Sequence, residues 1–267
     1  MSVLWRCRQA LGLNAVPAGG FLLGSWSWDT ALKLYWFENL VGGLLIGLRI
    51  ALHRRWTGKR GHFRPHAFSS APSYGKQEPA KHSGSLLASF LAPTMLFTVV
   101  HGFFIGVLGL LPGAQTVDGS GHLRAGALAI AALLLAGFLY DLVSLRERSL
   151  RWVLDLAEYH LGRVVLVQLA IVGGFMFMVW WGHRPQAFFL AFAGLKTMAD
   201  ISGLFVRAAG IERVEIETPP PWLARTMNKM GSKYRGEDFL EYWQRQRQQD
   251  AKLAEEDEEV RKPGTRG

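Results

Sequence analysis

The chain has 267 residues, 49% of them hydrophobic, with ten Trp, sixteen Phe and a formal charge of +9. Its one cysteine, Cys7, allows neither an intrachain disulfide nor a thiolate zinc cluster. The apolar residues fall into blocks of about 20 with basic residues between them, the pattern of a polytopic membrane protein, so the positive charge is no argument for nucleic acid.

Six spans are expected in chain order. The first, residues 9–26, follows Arg6 and Arg8 and is only just long enough at about 1.5 Å per residue. A cleaved signal peptide is disfavoured there, because Asn14 and Pro17 break the apolar block and no small-residue cleavage site follows. The second, residues 30–52, lies within LKLYWFENLVGGLLIGLRIALHRR and carries Glu38 and Asn39 well inside it. Residues 53–85 follow as a flexible basic loop, with Arg54, Arg55, Lys59, Arg60, Arg64, Lys76 and Lys81 against a lone Glu78. Such a loop is suited to anionic lipid headgroups.

The third span, residues 86–111, has Pro93 as an expected kink and His101 inside it. The fourth, residues 124–145, is the most hydrophobic and holds Asp141 near its inner end. Residues 146–160 read as an amphipathic helix in the inner interface, with Leu150, Val153 and Leu154 toward the lipid. The fifth span, residues 163–181, ends in Trp180 and Trp181, where an interfacial aromatic belt is expected, and the sixth, residues 186–206, carries Lys196 and Asp200. Residues 207–267 form a charged, partly helical tail, more suited to contacting a protein partner than to burying a catalytic core.

The positive-inside bias places the basic loop, residues 146–162 and both termini on the cytoplasmic side. The fold class is therefore an all-α transmembrane bundle of about six spans over residues 1–206, in the inner membrane, followed by a cytoplasmic tail.

An Asp, Lys or Arg at mid-helix costs about 2.5 to 3.5 kcal/mol on insertion scales, while each Leu or Phe returns only about 0.3 to 0.6. Intramembrane ionisable residues are thus candidates for function, with helix-to-helix glue as the competing explanation. The candidates are Glu38, Asn39, His101, Asp141, Lys196 and Asp200. Counting helical rise predicts two layers: Glu38, His101 and Lys196 roughly 12 to 15 Å from the outer boundary, and Asp141 with Asp200 at roughly 20 to 25 Å, near Arg163. Lys196 and Asp200, four residues apart, can neutralise each other on one face. Gly42, Gly43 and Gly47 offer a close approach to the carboxylate's helix.

The stretches LYWFENLVGGLLIGLRI, HGFF, GRVVLVQLAIVGGF and LKTMADI, over roughly residues 10–206, resemble an uncharacterised prokaryotic family of polytopic membrane proteins marked by a Tyr-Trp-x-Glu-Asn signature, here Tyr35, Trp36, Glu38 and Asn39. The chain departs from that pattern in its fourth span, where LYDLVS stands in place of a Ser-His pair. The resemblance implies a membrane protein and no known activity.

A small-solute or proton-coupled path would use Glu38 and His101 as protonatable gates beside Lys196. A scaffold acting through the basic loop and tail is the alternative. An intramembrane hydrolase comes third, since His101 is the only histidine expected well inside a span and the chain has neither HExxH nor GxSxG. No cofactor or metal site is expected.

Overall fold

A computed structural model describes residues 3–23, 26–63, 85–109, 119–181 and 185–208, with isolated helical positions between 221 and 252. The described residues form six long α-helices: α1 (Val3–Leu22), α2 (Trp28–Thr57), α3 (Leu86–Leu108), α4 (Gly119–Ser144), α5 (Leu150–Trp181) and α6 (Pro185–Ala208). Short 3-10 turns follow α2 (Arg60–Phe63) and α4 (Leu145–Glu147). Among the described residues four helical stretches are long and apolar enough to cross a membrane, Trp28–Thr57, Leu86–Val107, Gly121–Glu147 and Leu150–Gly173. The chain is an all-α, multi-span bundle of membrane type.

Local chemistry sets several helix ends. Ser27 caps α2 by accepting from the Thr30 amide at 3.1 Å, and Asp29 in the first turn favours the positive end of the dipole. At the other end Gly58, at φ 62, takes the left-handed conformation and donates its amide to Arg54 O. Ser85 and Ser149 cap α3 and α5, accepting from Ala88 and Trp152 amides.

Helix α2 is the central element, in contact with each of the other five helices. Toward its start, Trp28, Leu32 and Tyr35 pack against Val167 of α5 and Phe189 and Phe192 of α6. Toward its end, Ile46 and Ile50 pack against Phe90 of α3 and Val153 and Leu161 of α5. A third cluster joins Leu13, Leu34 and Ile130 of α1, α2 and α4. Between the first two clusters lies the stretch of α2 that carries Glu38, Asn39, Gly42 and Gly43.

Glycine permits the closest approaches. A Cβ at Gly43 would stand 2.8 Å from Thr94 Cγ2 and 3.1 Å from His160 Nε2, and one at Gly47 would stand 2.8 Å from Leu91 Cδ2. These glycines bring α3 and α5 against α2. The outer faces are apolar instead: Leu96, Val99 and Phe103 form an exposed stripe on α3, and Leu128, Leu135, Leu139 and Val143 one on α4. Long apolar stripes facing outward, with ionic groups facing inward, fit lipid as the surrounding medium.

The expected interfacial helix over residues 146–160 is corrected by the structure. From Leu150 the chain runs in one 32-residue helix to Trp181, and Leu150, Val153 and Leu154 are buried against α2 and α3 rather than turned to lipid. Arg163 and Asp155 lower the local hydropathy without interrupting the helix. The first predicted apolar segment, residues 9–26, corresponds to α1, which begins at Val3 and ends at Leu22, so that Trp26 lies beyond it. Most of the basic loop, the connection around Asp118, Arg184 and most of the tail lie outside the described residues.

Candidate functional site

Four charged side chains converge from three helices where α2, α5 and α6 meet. Arg163 Nη2 donates to Glu38 Oε1 at 2.6 Å and to Asn39 Oδ1 at 2.9 Å. Lys196 Nζ donates to Asp200 Oδ2 at 2.9 Å, one turn along α6, and forms an ion pair with Glu38 Oε2 at 3.0 Å. Arg163 Nε stands 3.7 Å from Asp200 Oδ1, which closes the ring of alternating charges. Glu38 is 0% exposed and Lys196 1%. Two acids and two bases sum to zero, and that neutrality is what lets charges lie so deep, since an isolated buried ion would pay a large desolvation penalty.

Helix α1 completes the cluster. Asn14 accepts from Lys196 Nζ through Oδ1 at 2.9 Å and donates through Nδ2 to Asp200 Oδ2 at 2.8 Å. Its amide therefore serves both ions at once. Tyr35 lies beneath the ammonium, with Lys196 Nζ 4.7 Å from the ring centroid, a cation–π contact in a desolvated setting. Tyr159 Oη donates to the Asp200 carbonyl at 3.1 Å.

A second ion pair joins α2 to α4. Arg49 reaches Asp141 Oδ2 through Nε at 3.1 Å and Nη2 at 3.0 Å, and its guanidinium stacks 4.9 Å from the Phe138 centroid. Glu38 and Arg49 are eleven residues apart on α2, about 16 Å along the axis and nearly on one helical face. Among the described residues there are thus two internal ionic layers.

Between the layers is a cavity of about 150 Å³. Gln9, Ala10 and Leu13 of α1, Gly42, Leu45, Ile46 and Arg49 of α2, Leu134 and Asp141 of α4, and Leu156, Tyr159, His160 and Arg163 of α5 form its walls, with Asp200 at one end. One space therefore touches a member of each ion pair. Within these residues Asp141 Oδ1, Asp200 Oδ1 and His160 Nε2 are sealed from solvent and accept no hydrogen bond, although Asp200 Oδ1 keeps its ion-pair contact with Arg163.

The candidate residues group differently from the two predicted layers. Glu38, Asn39, Lys196 and Asp200 meet in one cluster, whereas Asp141 stands in the second layer with Arg49. His101 is buried at 1% exposure on α3, and its Nε2 has no hydrogen-bond partner. No described interaction joins it to Glu38 or Lys196. Sequence reasoning passed over Asn14, Arg49 and His160, and it put Arg163 only at the edge of a span. The eleven-residue spacing of Glu38 and Arg49 was the available signal for the second layer.

Residues 4–218 match a family of unknown function (DUF6498). The chain belongs to this family. The match takes in nearly all of α1 and continues past the end of α6. No curated protein and no solved structure matches the chain. In this family member Tyr35, Trp36, Glu38 and Asn39 are all engaged: Tyr35 lies under Lys196, Trp36 Nε1 donates to Thr98 O at 2.8 Å, and Glu38 and Asn39 share Arg163. Gly102 leaves room for that indole, because a Cβ there would stand 2.8 Å from Trp36 Nε1. These four residues thus tie α2 to α3, α5 and α6. Overall, the protein is a multi-pass membrane protein with an internal charged cluster consistent with a polar pathway.

Proposed function

We propose that the protein moves a small solute or ion across a bacterial inner membrane, coupled to protons. The observation that carries this reading is the cavity that touches both ionic layers at once, between α1, α2, α4 and α5. Intramembrane ionisable residues at such a position are the usual makings of an ion path or proton relay. Glu38, Asn39, Lys196 and Asp200 form its closed end and Asp141 with Arg49 its second station.

In this reading all six helices span the membrane, both termini are cytoplasmic, and residues 207–267 form a separate cytoplasmic tail. The basic loop at 53–85 rests on anionic headgroups, and Tyr35, Trp36, Glu38 and Asn39 mark a prokaryotic family. Reconstitution into vesicles with an internal pH dye tests the transport claim. Wild-type protein should dissipate an imposed pH gradient faster than protein-free vesicles, and Glu38→Gln should slow it. A wild-type rate equal to that of protein-free vesicles, under gradients and potentials of either sign, defeats the reading.

One observation favours a membrane scaffold instead. Lys196 directs its ammonium to Asn14, Asp200 and Glu38 together, as a static brace would. Under the scaffold reading, deleting 207–267 abolishes function in cells while Glu38→Gln, if folded, does not.

A further inference from the structure

We infer that Arg163 makes the cavity between α1, α2, α4 and α5 a binding site for a short-chain monocarboxylate, which enters together with a proton. This names the solute class for the transport reading and rests on that reading for its biological use, whereas binding itself stands on the cavity and on Arg163.

A guanidinium carries N–H donors on all of its nitrogens and accepts nothing. Arg163 Nη2 donates to Glu38 Oε1 at 2.6 Å and to Asn39 Oδ1 at 2.9 Å, so both of its hydrogens are spent. Nε is sealed from solvent, 3.7 Å from Asp200 Oδ1. The remaining nitrogen, Nη1, donates to no described residue and is not among the atoms sealed from solvent. Arg163 lines the cavity and its side chain is 13% exposed, so the Nη1 edge is the part that the space reaches. Donors left without a partner inside the bundle cost free energy, and a guest that accepts hydrogen bonds removes that cost. A carboxylate does so best, because a charge-assisted bond is about twice as strong as a neutral one.

Charge decides the accompanying proton. Around the guanidinium stand Glu38 on α2 and Lys196 and Asp200 on α6, with Arg49 and Asp141 across the space. Tyr159 and His160 lie within one turn of it on α5, and α1 contributes the uncharged Gln9 and Asn14. The cations Arg49, Arg163 and Lys196 cancel the acids Glu38, Asp141 and Asp200, so a carboxylate arriving alone would leave an uncompensated charge in a low-dielectric space. A proton taken up with the guest restores neutrality. A dianion would need a second one, and chloride would leave Leu13, Leu45, Ile46, Leu134 and Leu156 facing nothing. Those apolar walls suit a short alkyl chain. A space of about 150 Å³ is the size at which an engineered protein cavity admits benzene, and propionate is smaller than benzene.

The test uses the full chain purified in detergent and follows thermal unfolding by its tryptophan fluorescence. Sodium propionate, compared with sodium chloride at equal ionic strength, should raise the Tm in a saturable way. Propylammonium chloride has a chain of similar length and the opposite charge, and should raise it no more than sodium chloride does. Leu134→Phe, which replaces an apolar wall by a bulkier one, should remove the effect, and Ala10→Val serves the same purpose should that variant not fold. Arg163→Lys keeps a cation for Glu38 but offers the guest no second nitrogen, and should weaken the apparent affinity at least tenfold. In weakly buffered solution near neutral pH, saturating propionate should draw about one proton per chain from the medium.

No saturable rise with propionate, an equal rise with propylammonium, a rise undiminished by the filling variant, or binding without proton uptake overturns the inference. Proton flux in vesicles without propionate binding leaves transport standing and removes only this site. Propionate binding without flux removes transport and leaves the site.

Discussion

Arg163 on α5 and Glu38 on α2 are 125 positions apart in sequence and 2.6 Å apart in space. Neither charge has a tolerable place in a membrane alone, and together with Lys196 and Asp200 they become a neutral unit. Removing one member leaves an uncompensated buried charge, which costs far more than removing a balanced pair. Arg163→Met should therefore lower stability by about 3 to 5 kcal/mol. Combining it with Glu38→Gln should cost less than the sum of the two single changes, with a coupling of about 0.5 to 3 kcal/mol. Unfolding in detergent of the four members of the cycle gives the answer, and simple additivity would mean that the two groups do not interact.

The Arg49 and Asp141 pair is also mostly buried, with side chains 9% and 8% exposed. Asp141→Asn should destabilise more than a surface substitution, because Arg49 loses its partner while Phe138 still holds the guanidinium. Arg49→Met with Asp141→Leu should recover much of that loss, as apolar replacement of a buried pair commonly does. Comparing the Tm of the single and double variants checks this, and a double variant less stable than either single one would contradict it.

Gly102 and Gly106 sit one turn apart on α3 with opposite expectations. A methyl at Gly102 meets Trp36 Nε1 at 2.8 Å and Cε2 at 3.0 Å, whereas one at Gly106 meets nothing within 4 Å. Gly102→Ala should displace the indole, weaken its bond to Thr98 O and cost roughly 1 to 3 kcal/mol, with a shift in tryptophan emission. Gly106→Ala should be neutral or stabilise by about 0.5 to 1 kcal/mol through helix propensity. Equal effects at the two sites would argue against the α2–α3 approach described.

His101 lies outside the charged cluster, and its buried Nε2 has no hydrogen-bond partner. His101→Leu, close to histidine in volume, should change stability by less than about 1.5 kcal/mol, and should leave proton flux in vesicles at the wild-type rate. A loss of flux with the fold intact would restore His101 as a gate.

The helical blocks and several site residues are legible in the sequence because apolar length and polar interruptions are local signals. Glu38 with Asn39, and Lys196 with Asp200 at one-turn spacing, stand out against apolar surroundings. What stays hidden is pairing across helices. Hydropathy treats a charge as the end of a span, so the stretch around Asp155 and Arg163 reads as a boundary, yet α5 passes through it because Arg163 finds Glu38 and Asp200. Asn14 weakens the first span by the same reasoning, although its amide is held by Lys196 and Asp200. Residue 160 shows the effect most plainly: once α5 is continuous, His160 becomes a buried cavity residue packed against Gly42 and Gly43.

A polar path through the bundle requires that water reach the space between the two ionic layers when the protein is in its membrane. Substituted-cysteine labelling measures this directly, in a Cys7→Ser background with a small, membrane-impermeant thiol reagent. Single cysteines at Leu45, Leu134 and Leu156, which line the cavity, should be labelled, while cysteines at Leu128 and Leu135 on the outer apolar stripe of α4 should not. Labelling that is absent at all three lining positions, from both sides of the membrane, would contradict a polar path and leave the charged cluster as a structural brace.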